Sequence, residues 1–312
     1  MVRSIPLALA TLTVAASVAA SVAAQDRPTD QWLTNPVDDR TFQAYLEFFA
    51  YDEALPFNTE VVTAGEAEGL FEERISFQST PGIIVTARFY RPLRESTTRR
   101  GGVIFLHGGV PRAKDDPTSV QLSRLMARAG WTVLSIDYLH WGGRNTGLLE
   151  TFAEVEKHER LYNQPAAYLE FVTQTVKDVS RSYDFLVRER NADSARIALV
   201  GFSRGAQLSM IAGAAERRLA AVGMLHGGHF DFYEDGHRAA ACPANYIGRI
   251  SPRPVLMING ENDGDYLPDT AVRPLQSLLG EPKQLIWTDA GHGFLSQDDR
   301  TALVDWLRSA VR

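Results

Sequence analysis

The stretch that decides the fold is Arg196-Ile-Ala-Leu-Val-Gly-Phe-Ser-Arg-Gly-Ala206. Its apolar run, Ile197–Val200, is typical of a short buried strand. Gly201-Phe-Ser203-Arg-Gly205 follows, and the next residues, rich in alanine, predict a helix. A strand, a Gly-x-Ser-x-Gly turn and a helix in this order predict a nucleophile elbow, which presents a serine hydroxyl above a sheet edge. The alternative is an ordinary strand–turn–helix in which Ser203 only caps the helix.

The composition is that of an ordinary globular protein. With 312 residues, 45% of them hydrophobic and 22% charged, the chain has room for one large α/β domain or two small ones. These values exclude disordered and collagen-like classes. The net charge of −6 argues against a nucleic-acid partner and fits a soluble enzyme.

The single cysteine, Cys242, excludes an internal disulfide and a cysteine-based zinc site. No elbow signature surrounds Cys242, so we interpret it as a small buried residue and not as a nucleophile.

The N-terminus has the pattern of a signal peptide. Arg3 supplies a positive charge, an uncharged segment extends from Ile5 to Val22, and Val22-Ala23-Ala24 offers a cleavage site before Gln25. We therefore predict that residues 1–24 are removed and that the protein is periplasmic or secreted. A retained membrane anchor is the alternative. It is disfavoured because the segment is only moderately apolar and no cluster of charges follows it. We expect no stable membrane insertion after cleavage.

The rest of the chain predicts an arm and one large domain. Residues 25–60 form the predicted N-terminal helical arm, with a helix from Thr41 to Tyr51, and residues 61–312 the catalytic domain. Apolar runs alternate with helical patterns, which predicts an α/β fold whose mostly parallel sheet of about eight strands has helices on both faces. The predicted strands begin at Phe71 and cover residues 71–78, 83–90, 101–106, 131–136, 197–200, 220–225, 254–259 and 283–287.

Three polar residues follow three of these strands in the order Ser203, Asp263, His292. Loops at the carboxyl ends of parallel strands converge on one crevice. A serine becomes a useful nucleophile when a base removes its proton and a third group orients that base. We therefore predict His292 as the general base and Asp263 as the residue that orients it. Asp265 remains an alternative to Asp263, and Asp263 is also explained by turn chemistry at Asn262-Asp-Gly264.

Several motifs between Phe71 and the C-terminus resemble one superfamily. They are Thr80-Pro-Gly82, His107-Gly-Gly109, Gly201-Phe-Ser-Arg-Gly205, Gly260-Glu-Asn-Asp263 and Gly291-His-Gly-Phe294. On these motifs the chain resembles the α/β-hydrolase superfamily, and within it dienelactone-hydrolase-like and acetyl-ester-hydrolase-like serine esterases. The resemblance implies that the oxyanion is bound by the backbone N–H groups of Arg204 and Gly109. Gly109 is alternatively a turn glycine. We expect no cofactor or metal.

Arg204 departs from the small or apolar residue that is common after the elbow serine. We favour a structural ion pair with Asp137 or a glutamate, and the alternative is a contact with an acidic substrate. Tyr138 and Trp141 either wall the acyl pocket or pack in the core.

Four residues, His226, His229, Asp231 and His237, raise the possibility of a metal site. Their spacing lacks a helical frame and a glutamate partner. We therefore favour a place beside the crevice for these residues.

The sequence thus predicts an exported serine hydrolase that cleaves a small-molecule carboxylic ester through an acyl-enzyme on Ser203. A peptidase of the prolyl-oligopeptidase type is one alternative, but Gln25 to Leu70 is too short for an N-terminal propeller. A non-catalytic binding protein on the same fold is another. The polar segment from Trp141 to Gln164 argues against a lipase lid, so we expect short-chain or carbohydrate-linked esters.

Overall fold

The computed structural model describes residues 30–230, 234–235 and 237–312. The chain forms two compact units, Met1–Gln31 and Trp32–Arg312. Nearly all of the first unit lies outside the described residues. The predicted signal peptide, residues 1–24, and Asp231 also lie outside them. In the part of the chain that is described, no helix combines the length and apolar character needed to cross a membrane.

The second unit contains a nine-stranded sheet in the order β1-β2-β3-β5-β4-β6-β7-β8-β9. Strands β1, β2, β3 and β5 pair antiparallel, and the remaining neighbours pair parallel. The strands are β1 Glu60–Ala67, β2 Leu70–Thr80, β3 Ile83–Pro92, β4 Gly102–Leu106, β5 Thr132–Ile136, β6 Ile197–Phe202, β7 Ala221–Leu225, β8 Val255–Asn262 and β9 Lys283–Gly291. This sheet confirms the predicted α/β fold.

The prediction of about eight strands missed β1. All eight residues of β1 are exposed, so this edge strand carries no apolar pattern from which it could be recognised.

Helices cover both faces of the sheet. One apolar core includes buried residues of α5 and α6, and a second core on the other face includes residues of α3 and α8. The helices are α1 Gln31–Thr34, α2 Asp39–Leu46, α3 Pro117–Arg128, α4 Glu154–Lys157, α5 Pro165–Glu189, α6 Arg204–Ala215, α7 Arg273–Ser277 and α8 Gln297–Ala310. Single π-helical turns follow α4 and precede α7.

Helix ends are set by local side chains. Asp116 accepts a hydrogen bond from the backbone N–H of Thr118, and Pro117 occupies the first turn of α3. At α8, Ser296 and Asp299 form a reciprocal capping box. This box starts α8 at Gln297.

The N-terminal segment that contains α2 packs on the main domain through aromatic rings. The ring of Phe42 lies edge-on to Tyr246, with 5.6 Å between centroids, and Phe49 lies 6.1 Å from the same tyrosine. The guanidinium of Arg249 lies over the Phe42 ring at 4.4 Å. These contacts anchor the N-terminal segment to residues that lie much later in the chain.

The sheet topology places one crevice at the carboxyl ends of the strands. Strand β4 lies between β5 and β6, so the connections that leave β4 and β5 run to opposite sides. Such a reversal opens a crevice above the strand ends. Gly109 follows β4, Ser203 follows β6, Asp263 follows β8 and His292 follows β9. The fold therefore gathers the predicted site residues at one edge.

Gly201 and Gly205 let backbone segments of the elbow pack more closely than any residue with a side chain would allow. A Cβ atom on Gly201 would lie 2.1 Å from the carbonyl oxygen of Gly205, and one on Gly205 would lie 2.2 Å from that of Leu106. Both contacts are with backbone atoms, which cannot move aside without displacing a strand or helix. The turn therefore depends on both glycines.

We predict that Gly205→Ala lowers the free energy of unfolding by about 3 kcal/mol, because the new methyl group overlaps the Leu106 carbonyl. Urea denaturation followed by circular dichroism measures the change. Gly65→Ala is the matched control, because a Cβ atom there meets nothing within 4 Å, and we expect a change below about 0.5 kcal/mol. Equal stability of the two variants would contradict the close approach.

Candidate active site

Ser203 occupies a strained turn that exposes its hydroxyl. Its φ is 53° and its ψ is −118°, a left-handed conformation that a non-glycine residue rarely adopts. Its backbone N–H donates to the carbonyl of Leu225 at 2.8 Å, which continues the ladder between β6 and β7. The Ser203 Oγ lies 2.9 Å from His292 Nε2. The hydroxyl therefore faces an imidazole instead of capping α6.

His292 connects this hydroxyl to a buried carboxylate. The Nδ1 of His292 lies 2.9 Å from Oδ2 and 3.1 Å from Oδ1 of Asp263. Burial alone lowers the pKa of His292, but the hydrogen bond and the charge of Asp263 outweigh it and hold this pKa above its ordinary value. The imidazole is thus arranged to accept a proton on Nε2.

The carboxylate of Asp263 is held by several donors. Its Oδ1 accepts the backbone N–H groups of Asp265 and Tyr266, each at 2.9 Å. Burial raises the pKa of Asp263, but the neighbouring His226 imidazole, the hydrogen bond from His292 and the backbone N–H of Tyr266 hold this pKa well below its usual range. Asp263 is therefore ionised although its side chain is fully buried.

Asp265, the alternative partner of the histidine, lies on the other side of the ring. Its Oδ2 is 3.3 Å from Nε2 of His292, the nitrogen that faces Ser203, and its side chain is 61% exposed. A group at Nε2 cannot fix the proton on Nδ1. The geometry therefore favours Asp263 over Asp265 as the residue that orients the imidazole.

Gly109 and Arg204 lie side by side next to Ser203. A Cβ atom built on Gly109 would lie 3.7 Å from Cβ of Arg204, and both residues line the same pocket as Ser203 and His292. Arg204 is the first residue of α6, where backbone N–H groups have no acceptor within the helix. The arrangement can supply N–H donors beside the Ser203 hydroxyl.

Lys157 supports the Gly109 loop, a contact that the sequence analysis missed. Its ammonium donates to the Gly109 carbonyl at 2.9 Å and pairs with Glu154 at 2.5 Å. Lys157 lies in a stretch that the sequence describes only as polar, and it contacts a loop 48 residues away. No local pattern could have revealed this contact.

The side chain of Arg204 is tied back into the protein. It pairs with Glu234 at 2.6 Å, both side chains are buried, and its guanidinium lies 3.9 Å from the centre of the Tyr162 ring. This ion pair agrees with the structural interpretation of Arg204, with a glutamate as the partner. Asp137 instead accepts from Lys114 at 2.5 Å and from Thr86 at 2.7 Å.

The pocket beside Ser203 is small and partly polar. Its volume is about 130 Å³, and its lining includes Val110, Lys157, Tyr162 and Tyr266. Tyr162 and Tyr266 were not singled out from the sequence. This space lies directly beside the Ser203 hydroxyl.

Two predicted pocket residues pack elsewhere. Tyr138 and Trp141 are fully buried, and both rings contact Phe171 in the core. The structure therefore supports the packing interpretation of these two residues.

The histidines after β7 pack against other side chains. His237 stacks on Tyr168 with 4.0 Å between centroids, His229 packs on Phe230, and His226 lies next to Asp263. In the described part of residues 32–312, His226, Asp263 and His292 each offer one potential metal-ligand atom, and these atoms lie within 4.8 Å of one another. A metal there would compete with the hydrogen bond between Asp263 and His292.

Comparison with known proteins identifies one family. A model of the dienelactone hydrolase family matches residues 107–309. A search of curated proteins finds no match.

Among solved structures, the chain is similar to acetyl xylan esterase 1 from Thermoanaerobacterium sp. JW/SL YS485, with 16% identity, a TM-score of 0.66 and coverage of 91% of this chain and 99% of that one. An acetyl xylan esterase from Paenibacillus sp. R4 has 17% identity and a TM-score of 0.66, over 91% and 100% of the two chains. A cold-adapted esterase from an Arctic intertidal metagenomic library has 17% identity and a TM-score of 0.62, over 83% and 100%. Identities this low show a shared fold.

We predict that Asp263→Asn lowers the pKa of His292, because it removes the negative charge that favours the protonated ring. An NMR titration of the His292 ring protons measures this pKa. Asp265→Asn is the matched control, and we expect a smaller decrease because the Asp265 carboxylate is mostly exposed. A larger decrease in the control would identify Asp265 as the main partner.

Proposed function

Since the chain belongs to the dienelactone hydrolase family and is a carboxylic ester hydrolase, we propose that it cleaves its substrate through an acyl-enzyme on Ser203. The observation that carries this proposal is the continuous series of contacts from Ser203 Oγ to His292 Nε2 and from His292 Nδ1 to Asp263. These side chains come from three different strand ends. Their alignment provides a nucleophile, a base and a group that orients the base.

In the proposed first step, His292 takes the Ser203 proton as Oγ attacks the carbonyl carbon of the ester. Asp263 stabilises the imidazolium that forms, since its carboxylate is buried next to Nδ1. The imidazolium then donates its proton to the leaving alcohol as the C–O bond breaks. In the second step, His292 activates a water molecule in the same way, and the acyl-enzyme is hydrolysed.

The negative charge on the carbonyl oxygen needs donors beside Ser203. We assign this role to the backbone N–H groups of Gly109 and Arg204, which lie next to each other on the pocket wall. Lys157 holds the Gly109 carbonyl and so fixes the loop that carries one donor.

The size of the pocket supports short acyl groups as substrates. A volume of about 130 Å³ leaves little space for a long chain, and charged groups of Lys157 and Glu154 line part of it. Two proteins with the same fold are named as acetyl xylan esterases. We propose an acetyl or similarly short acyl ester of a polar alcohol, which includes carbohydrate-linked esters.

We also propose that the protein is exported to the periplasm or beyond the cell. This proposal rests on the charge of Arg3, the uncharged segment from Ile5 to Val22 and the small residues that end at Ala24.

We predict that a fluorophosphonate labels Ser203 and that Ser203→Ala abolishes the labelling and lowers kcat by at least about 10⁴-fold, because the nucleophile is lost. Mass spectrometry of the labelled peptide and steady-state kinetics measure the two effects. Ser209→Ala is the control, since the Ser209 hydroxyl donates to the Gly205 carbonyl within α6, and it should remain labelled. Labelling at another residue in the wild type would refute the acyl-enzyme proposal.

We predict that kcat/KM for p-nitrophenyl octanoate is at least about 10-fold below that for the acetate, because the longer chain exceeds the pocket. Aminoacyl-anilides should not be cleaved, which distinguishes the esterase from a peptidase. Hydrolysis rates measured by absorbance across a series of acyl lengths provide the test. Equal rates for acetate and octanoate would show that the acyl group binds elsewhere.

A further inference from the structure

A second histidine lies against the carboxylate of Asp263. His226 directly follows β7, the strand between the one that carries Ser203 and the one that precedes Asp263. Its Nδ1 is 3.7 Å from Oδ2 of Asp263, and both side chains are completely buried. The ring of His226 also lies edge-on to that of His292, with 6.1 Å between centroids. His226 thus lies against the carboxylate and next to the ring of His292.

The polar atoms of His226 have no other use in the described structure. Neither Nδ1 nor Nε2 has a hydrogen-bond partner there, although the imidazole is fully buried. A buried polar group without a partner is costly, and such groups are rare in folded proteins. Asp263 Oδ2 is the polar atom that Nδ1 faces at 3.7 Å. A small movement of the ring would bring the two atoms to hydrogen-bond distance, and such bonds often tighten when substrate binds.

The backbone of His226 holds the ring in this position. Its φ of 51° is in the left-handed region, which is unfavourable for a residue with a side chain. Its N–H donates to the carbonyl of Ile258 at 2.7 Å, which anchors it to β8 close to Asp263. The left-handed turn directs the chain away from β7 while the ring stays beside the carboxylate.

Without His226, the two carboxylate oxygens of Asp263 differ in the hydrogen-bond donors that they face. Oδ1 accepts two backbone N–H groups, whereas Oδ2 accepts His292 Nδ1 and faces His226. The pKa of Asp263 lies well below its usual range, against the effect of burial, and the neighbouring His226 imidazole is one cause.

We propose that His226 is a positioning residue that donates Nδ1–H to Oδ2 of Asp263 and so fixes the carboxylate plane that orients His292. This inference rests on the proposed function of Ser203, His292 and Asp263. In this role His226 touches neither substrate nor the reacting atoms, since it is not among the residues that line the pocket. It acts by limiting the motion of Asp263 as charge develops on His292.

The test compares His226→Leu with His226→Asn. The two new side chains have similar shapes, but only asparagine has a donor, and its amide nitrogen takes the place of Nδ1. We expect His226→Leu to lower kcat by about 10- to 100-fold with KM unchanged, because a slightly misplaced base slows the chemical step and not substrate binding. His226→Asn should restore most of the loss. Equal kcat values in the wild type and His226→Leu would overturn the proposal.

Two further measurements separate positioning from a loss of stability. Val222→Ala truncates a buried side chain on the same strand. It should lower the unfolding temperature and leave kcat unchanged. ¹⁵N NMR of histidine-labelled wild type should show a proton on Nδ1 of His226, assigned by the signal that disappears in His226→Asn. A proton on Nε2 alone would overturn the proposal even if His226→Leu does not fold.

The proposal can fail independently of the acyl-enzyme mechanism. If the fluorophosphonate labels Ser203 in the wild type and also labels His226→Leu at the same rate, only the role of His226 is wrong. If the wild type is not labelled at Ser203, the proposed function itself fails.

Discussion

The close packing of the elbow against β4 is the constraint on which the site depends. Gly205 lies so near the Leu106 carbonyl that any Cβ atom would overlap it, and Gly201 has the same relation to Gly205. This contact lets α6 begin directly above the sheet and forces Ser203 into a left-handed conformation, which costs about 1–3 kcal/mol. The backbone hydrogen bond from Ser203 to Leu225 and the burial of nearly all of α6 offset this free-energy cost. The serine is thus raised above the strand ends as a consequence of packing.

Once the serine is placed, the buried carboxylate of Asp263 organises the remaining groups. An isolated buried anion is unfavourable, so it requires several donors. Asp265, Tyr266 and His292 provide them from the loop after β8 and from the end of β9. The carboxylate also contributes to the stability of the fold, because protonating or removing it would leave these donors without an acceptor. The acid of the site therefore also fastens two neighbouring strand ends together.

Much of this arrangement could be predicted because its signals are local. Glycines around Ser203, an apolar strand before it and polar residues at strand ends indicated the fold and the positions of Asp263 and His292. Strand β1 was missed because every residue in it is exposed. The partner of Arg204 could be limited only to Asp137 or a glutamate, because Glu234 lies 30 residues away in a segment without periodicity. Long-range pairing of this kind depends on the path of loops, which residue spacing does not determine.

The pocket lies at the start of α6, and two cationic side chains beside it are paired with carboxylates. The guanidinium of Arg204 is held by Glu234 and the Tyr162 ring, so its charge is paired within the protein. Lys157 is likewise paired with Glu154 while it holds the Gly109 carbonyl. Paired charges of this kind hold the backbone at Gly109 and Arg204 without placing a strong net charge beside the pocket. A long apolar chain in a small space with such walls would have to displace water from polar atoms without replacing their hydrogen bonds.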